Sequence, residues 1–224
     1  MKMGTELMRE PLLVKRFNGG KDRGMMLAID GKEITKDQAR DLFNILNRFL
    51  NPNPPIHNYP WTPAETVSTA VFSSDRLYRY ALIRIWDRSR DVVAFVGLNP
   101  STADETEDDP TIRRCVNFAK DWGYGGLVML NLFGYRATMP AEMMCQDDPI
   151  GFENDIWTLV FTHWADKIIL SWGTSGEYKG RDKAVIDFLP KDKLFTLGLT
   201  KDGYPKHPLY LKKDTQLIEW GSDE

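Results

Sequence analysis

Apolar and polar positions fall into two kinds of block along this chain. Residues 92–98, 127–133 and 167–172 are short, nearly continuous apolar runs, the pattern of strands covered on both faces. Between them, apolar residues recur at helical spacing. Ile112, Cys115, Val116, Ala119 and Trp122 make one stripe, and Ile156, Leu159, Val160 and Trp164 make another over residues 152–165. The first of these helices carries its own boundaries: Asp109 as N-cap, Pro110 in the first turn and Gly123 past the end. A shorter helix over residues 181–188 and a last strand over 193–197 follow. Residues 80–86 alternate as a strand wetted on one face does, and the polar turn at 87–91 predicts a hairpin with the run at 92. Strand, helix, strand, helix, strand, helix, strand predicts an α/β fold with a mainly parallel sheet.

A smaller unit precedes this pattern. Residues 12–14 and 25–29 read as short strands, each followed by turn chemistry, Asn18-Gly19-Gly20 and Asp30-Gly31. Thr35 and Gln38 have capping-box spacing, and Ala39, Leu42, Phe43, Leu46 and Phe49 share one helical face. Together they predict a ββα module over residues 1–50. Pro52, Pro54, Pro55, Pro60 and Pro63 then predict a stiff linker over residues 51–70. The α/β domain is expected over residues 71–224.

Composition narrows the function classes. The chain has 224 residues, room for one sizeable domain and a small module. A net charge of −3 argues against a surface that is basic throughout, though not against local basic patches. Cys115 and Cys145 are too few for a disulfide framework, an iron–sulfur cluster or an all-cysteine zinc site. No cofactor and no metal site are expected. No apolar stretch is long enough to span a bilayer, and residues 1–10 lack a signal-peptide core. The expectation is a cytoplasmic protein in a reducing compartment, with no membrane partner. Nothing in the sequence fixes an oligomeric state.

The chemistry sits after the strands. Gly97-Leu98-Asn99-Pro100-Ser101, Leu130-Asn131-Leu132 and Ser171-Trp172-Gly173 each follow an apolar run, and His207 lies in a Gly/Pro-rich loop. Ligands bind at the carboxyl ends of the strands in open α/β sheets. Each residue also has a plain structural reading. Asn99 before proline can stabilise a turn. Asn131 can be satisfied by nearby backbone, Trp172-Gly173 can be turn chemistry alone, and His207 can be a surface residue beside a rigid proline. Ser101 and Thr102 open a loop whose hydroxyls and N–H groups suit a phosphate. Asp104, Glu105, Glu107, Asp108 and Asp109 oppose that reading unless a cation offsets them. Arg113 and Arg114 stand where the helix dipole disfavours cations, so they either pair with Asp108 and Asp109 or grip an anionic ligand.

These segments resemble the uracil-DNA-glycosylase superfamily. Gly97-Leu98-Asn99-Pro100 resembles its water-activating motif. The residues from Gly126 to Asn131, running on to Arg136-Ala137, resemble its base-reading strand. Ile168 to Gly173 resembles the following strand, and His207-Pro208 the start of its final motif. The resemblance implies a three-layer α/β/α domain of that type. It implies an enzyme acting at an N-glycosidic bond in nucleic acid or in a nucleotide, its partner. By the resemblance Asn99 and His207 would be catalytic and Asn131 would read the base; Ser101, Arg113, Arg114, Trp172 and Gly173 complete the expected substrate-binding set on the residue readings above. Efficient members carry Asp where this chain has Asn99, and an amide can orient water but cannot act as a base. Leu209-Tyr210 stands where the family has Ser-Pro. A non-catalytic module that binds a modified base, and a metal-dependent nucleotide-processing enzyme built on the acidic loop, stay open as alternatives. The strings Asn-Pro-Ser-Thr-Ala-Asp, Asp-Pro-Thr-Ile-Arg-Arg and His-Pro-Leu-Tyr also resemble an uncharacterised family of bacteria and phages, which implies no substrate.

Overall fold

The computed structural model describes residues 66–221 and, ahead of them, the backbones of three strands. The chain divides into two units, Met1–Asn58 and Tyr59–Glu224. The first holds β1 (Leu12–Arg16), β2 (Met25–Ile29) and β3 (Lys32–Glu33), an antiparallel sheet in that order. The third strand directly follows the Asp30-Gly31 turn, where the ββα expectation has no strand. The helix expected after Thr35 lies outside the described residues, as does the proline-rich part of the linker.

The second unit is a mixed α/β structure on a seven-stranded sheet. Its strands are β4 (Val67–Phe72), β5 (Arg79–Ile85), β6 (Val92–Gly97), β7 (Gly126–Asn131), β8 (Lys167–Leu170), β9 (Leu194–Thr196) and β10 (Ile218–Glu219). They lie in the order β10-β9-β8-β6-β7-β5-β4. The pairings β9–β8, β8–β6 and β6–β7 are parallel, and both flanks are antiparallel. The sheet is therefore parallel at its centre and antiparallel at its edges.

Two strand expectations need correction. Residues 80–86 and 92–98 do not form a hairpin: β5 pairs with β4 and β7, and β6 pairs with β7 and β8. β7 lies between them, parallel to β6 and antiparallel to β5. β4 begins at Val67, inside the span read as linker. Its β-branched Val67, Thr69 and Val71 suit a pleated edge.

The helices are α1 (Pro110–Asp121), α2 (Pro140–Met144), α3 (Asn154–Trp164) and α4 (Arg181–Phe188). The start of α1 is as its sequence predicts: Asp109 accepts a hydrogen bond from the Ile112 N–H at 2.9 Å, with Pro110 in the first turn. Its buried face, Ile112, Cys115, Phe118 and Ala119, packs on Val93, Phe95, Leu127 and Met129 of β6 and β7. Trp122 closes that layer, stacked on Phe118 at 5.3 Å and Phe95 at 6.0 Å between centroids. Each such side chain contributes about 1.5–3 kcal/mol by leaving water. The alternate residues, Ala94, Val96, Val128 and Leu130, are buried too, so the centre of the sheet is covered on both faces. α3 lies against β5, β6 and β7. This burial leaves the carboxyl ends of β6, β7 and β8 as the place where polar residues gather.

Candidate functional site

Gly97 and Asn131 are partners in the parallel register of β6 and β7, so the two strands end side by side. The segments leaving them stay joined. Leu132 N–H donates to Gly97 O, Phe133 N–H to Leu98 O and Ala137 N–H to Pro100 O, each at 2.9 Å. On the other side Ser171 N–H donates to Val96 O, and Gly173 N–H donates to Pro205 O in the histidine loop. Four segments distant in sequence thus surround one cavity of about 520 Å³. Asn99, Ser101, Asn131, Trp172, Gly173 and His207 all line it.

Asn131 is 1% exposed, and neither its Nδ2 nor its Oδ1 has a partner among the described residues. Neighbouring backbone does not satisfy this side chain; the Asn154 Nδ2 bond at 3.0 Å goes to the backbone carbonyl of Asn131 instead. A buried amide with both ends unmet costs several kcal/mol on the order of the desolvation penalty for each end. Such an amide offers one donor and one acceptor, side by side, to a planar ligand edge.

Asn99 is oriented differently. Its Nδ2 donates to Ala137 O at 2.8 Å and to Pro100 O at 3.1 Å. Both amide protons are thereby spent, which leaves Oδ1 as the free group and makes the residue an acceptor for a water or a ligand donor.

His207 caps the short 3₁₀ turn Pro208–Tyr210: its Nδ1 accepts from Leu209 N–H at 3.4 Å. With Nδ1 an acceptor, the neutral ring carries its proton on Nε2. Burial lowers the pKa of the imidazole below its ordinary 6.5, and the Asp109 carboxylate opposes that only in part. His207 is therefore a neutral donor at pH 7. Tyr210, 85% exposed, stands beside it at the cavity mouth with ring centroids 6.0 Å apart.

Trp172 is buried, and its indole N–H has no partner. Gly176 lies so close that a Cβ there would be 2.1 Å from the ring. Gly173 follows with φ 75° and ψ −162°, a conformation open essentially to glycine alone.

Arg113 and Arg114 are not on the cavity wall. Arg113 Nη1 donates to Asp108 O, while Arg114 Nη2 donates to Leu211 O with its guanidinium 4.6 Å over the Phe118 ring. Their cost against the helix dipole is met by these carbonyls rather than by a ligand. The acidic loop is also occupied. Asp104 accepts from the Thr106 and Glu107 N–H groups at 2.8 Å each, which hold its carboxyl below the usual range. Glu105 pairs with Arg76 at 2.8 Å and Asp108 with Arg84 at 2.9 Å. Among the described residues no three His, Cys, Asp or Glu side chains are grouped to hold a metal ion.

One wall residue escaped the sequence reading. Arg79, the first residue of β5, is 2% exposed and lines the cavity. Its Nη1 donates to Ala103 O at 2.7 Å, and among the described residues its Nε has no partner and it forms no ion pair. Burial pulls its pKa down to about 10, so it stays cationic at neutral pH. In sequence it is only a polar residue at a strand start.

A family model described as a protein of unknown function, DUF1643, matches residues 79–209. The chain belongs to this family. The DUF1643 span begins at Arg79 and ends at Leu209, both on the cavity wall, so every lining residue except Tyr210 falls within it. No curated protein matches the chain. Among the described residues of this DUF1643 protein, no helix is long and apolar enough to cross a membrane.

Proposed function

We propose that this chain is a nucleobase-recognising hydrolase that cleaves an N-glycosidic bond in nucleic acid or in a nucleotide, on a three-layer fold of the uracil-DNA-glycosylase type. The observation that carries the reading is Asn131, a fully buried amide whose donor and acceptor both stand unpaired in a cavity of ligand size. A nucleobase edge presents the matching acceptor and donor. Trp172 adds a flat apolar wall, against which a heterocycle packs.

Cleavage breaks the bond between the sugar C1′ and the base nitrogen. Positive charge grows on the sugar and negative charge on the leaving base. His207 Nε2–H donates to the base as that charge develops, and a fixed donor facing developing charge is commonly the largest catalytic contribution. Asn99 Oδ1 accepts from a water and aims its oxygen at C1′; the oxygen bonds to C1′ and one water proton ends on the base or in solvent. Asn99 has no basic group to take that proton, so the chemistry draws on departure of the base rather than on a strong nucleophile.

The test is to incubate the full chain with DNA and nucleotides carrying a panel of modified bases and to detect free base by mass spectrometry. Release that persists in a chelator and falls at least tenfold in Asn99→Ala and His207→Ala supports the reading, on the scale expected for a positioned donor or acid–base group. Release at full rate in both variants overturns the site. Asn99 also favours a second reading, a module that holds a base without cleaving it, because its side chain is an amide. Tight base binding with no product would establish that instead. Release that requires a divalent cation would move the chemistry to a metal-dependent nucleotide-processing enzyme.

A further inference from the structure

A second cavity, of about 350 Å³, adjoins the first and shares Ser101, Thr102, Ala137 and Thr138 with it. Arg76 and Arg136 line its other side. The arginines of this region divide into two groups. Arg76 is paired with Glu105 and Arg84 with Asp108. Among the described residues Arg79 and Arg136 have no carboxylate at ion-pair distance, and each has a buried Nε with no partner. Arg136 Nη1 reaches only the Arg76 carbonyl, at 3.2 Å, and its guanidinium lies 5.0 Å over the Phe72 ring.

Two unneutralised guanidinium groups thus flank one hydroxyl-bearing wall, Arg79 in the main cavity and Arg136 in the side cavity. Placing them near each other is unfavourable, since Arg136 and Arg84 both act against the charge on Arg79. Asp109 and Asp104 offset this from a distance, but Asp109 Oδ1 caps α1 and Asp104 Oδ1 accepts from the Thr106 and Glu107 N–H groups. Glu142 is the acidic member of the side cavity, and it faces the Met139 N–H at 3.5 Å. A planar fork with free N–H groups is suited to a tetrahedral oxyanion, and serine and threonine hydroxyls complete such a site.

We propose that the wall of Ser101, Thr102 and Thr138 holds a phosphoryl group between Arg79 and Arg136, so that the ligand of the main cavity is a phosphorylated nucleoside. This rests on the base-site reading above and adds the group that accompanies the base. The phosphoryl group belongs either to a free nucleotide or to a nucleic-acid strand.

The experiment is calorimetric titration of the full chain with the common deoxynucleosides, their 5′-monophosphates, inorganic phosphate and a short single-stranded oligodeoxynucleotide. At least one monophosphate binds about tenfold or more tightly than its nucleoside, the gain of a charge-assisted fork contact. Arg79→Gln and Arg136→Gln each remove most of that advantage. Arg79 is buried, so Arg136→Gln decides the matter if Arg79→Gln does not fold. Equal affinity for nucleoside and monophosphate overturns the phosphate subsite and leaves the base site standing. Phosphate binding without any gain from a base keeps the subsite and sinks the base site. No binding by any of these probes overturns both. An oligonucleotide that outcompetes the monophosphates assigns the group to a strand, and the reverse assigns it to a free nucleotide; either supports the subsite.

Discussion

A Cβ placed on Gly97 would stand 3.0 Å from Asn131 Oδ1 and 2.7 Å from Met129 Cε. The end of β6 is therefore shaped around the amide at the end of β7. Gly97→Ala pushes on both, and Met129 has the freer end. Overpacking of this kind costs about 1–3 kcal/mol of stability. On the proposed function nucleoside affinity falls with it, because the displaced group is the amide proposed to read the base. Paired urea denaturation and calorimetric titration check the prediction, and a variant that binds as the parent does would contradict it.

Asn131 carries a prediction of opposite sign for stability and binding. Asn131→Leu removes two buried unpaired polar atoms and keeps about the same volume. The variant gains roughly 1–2 kcal/mol in the empty state, the order of one relieved desolvation penalty. It loses base binding altogether. A destabilised Asn131→Leu would show that the amide has a structural partner after all.

Acid sensitivity follows from His207. Its folded pKa lies below the ordinary 6.5 because of burial. The unfolded chain therefore takes up the proton more readily than the folded one. This group's contribution is complete above about pH 6.5 and is lost as pH falls below that toward the folded value. Denaturation midpoints of the parent at about pH 7.5 and about pH 5.5 differ more than those of His207→Gln. Equal differences would show that the ring does not titrate as described.

Arg181 and Asp155 form a buried ion pair between α4 and α3, and Arg181 Nε also donates to Leu132 O at 2.8 Å. Arg181→Leu strands the Asp155 carboxylate and removes one of two donors to the Leu132 carbonyl, which keeps Asn154 Nδ2 at 3.1 Å. The expected cost is about 3–5 kcal/mol, and the double variant with Asp155→Leu recovers part of it. Urea denaturation of the single and double variants measures both numbers.

The strand-end residues were legible because order along an α/β chain fixes which end of each strand faces a ligand. Asn99, Asn131 and Trp172 needed only the apolar runs before them, and His207 the Gly/Pro-rich loop that holds it. Sheet order was not legible in the same way. Nothing local says that β7 inserts between β5 and β6, since that choice is made by contacts across forty residues of chain. Arg113 and Arg114 misled because two cations at a helix start suggest an anion, whereas backbone carbonyls of Asp108 and Leu211 hold them. Arg79 was hidden for the converse reason. Its significance lies in what it lacks, a neutralising neighbour, and that is visible only once the chain has closed around it.

The bond from Asn99 Nδ2 to Ala137 O fastens Asn99 to the extension of the strand that carries Asn131. The two cannot drift apart while that clasp and the backbone bonds beside it persist. Half of the chamber is consequently monolithic. Any widening for a bulkier guest falls to the opposite shore, where His207 rides on a turn of three residues.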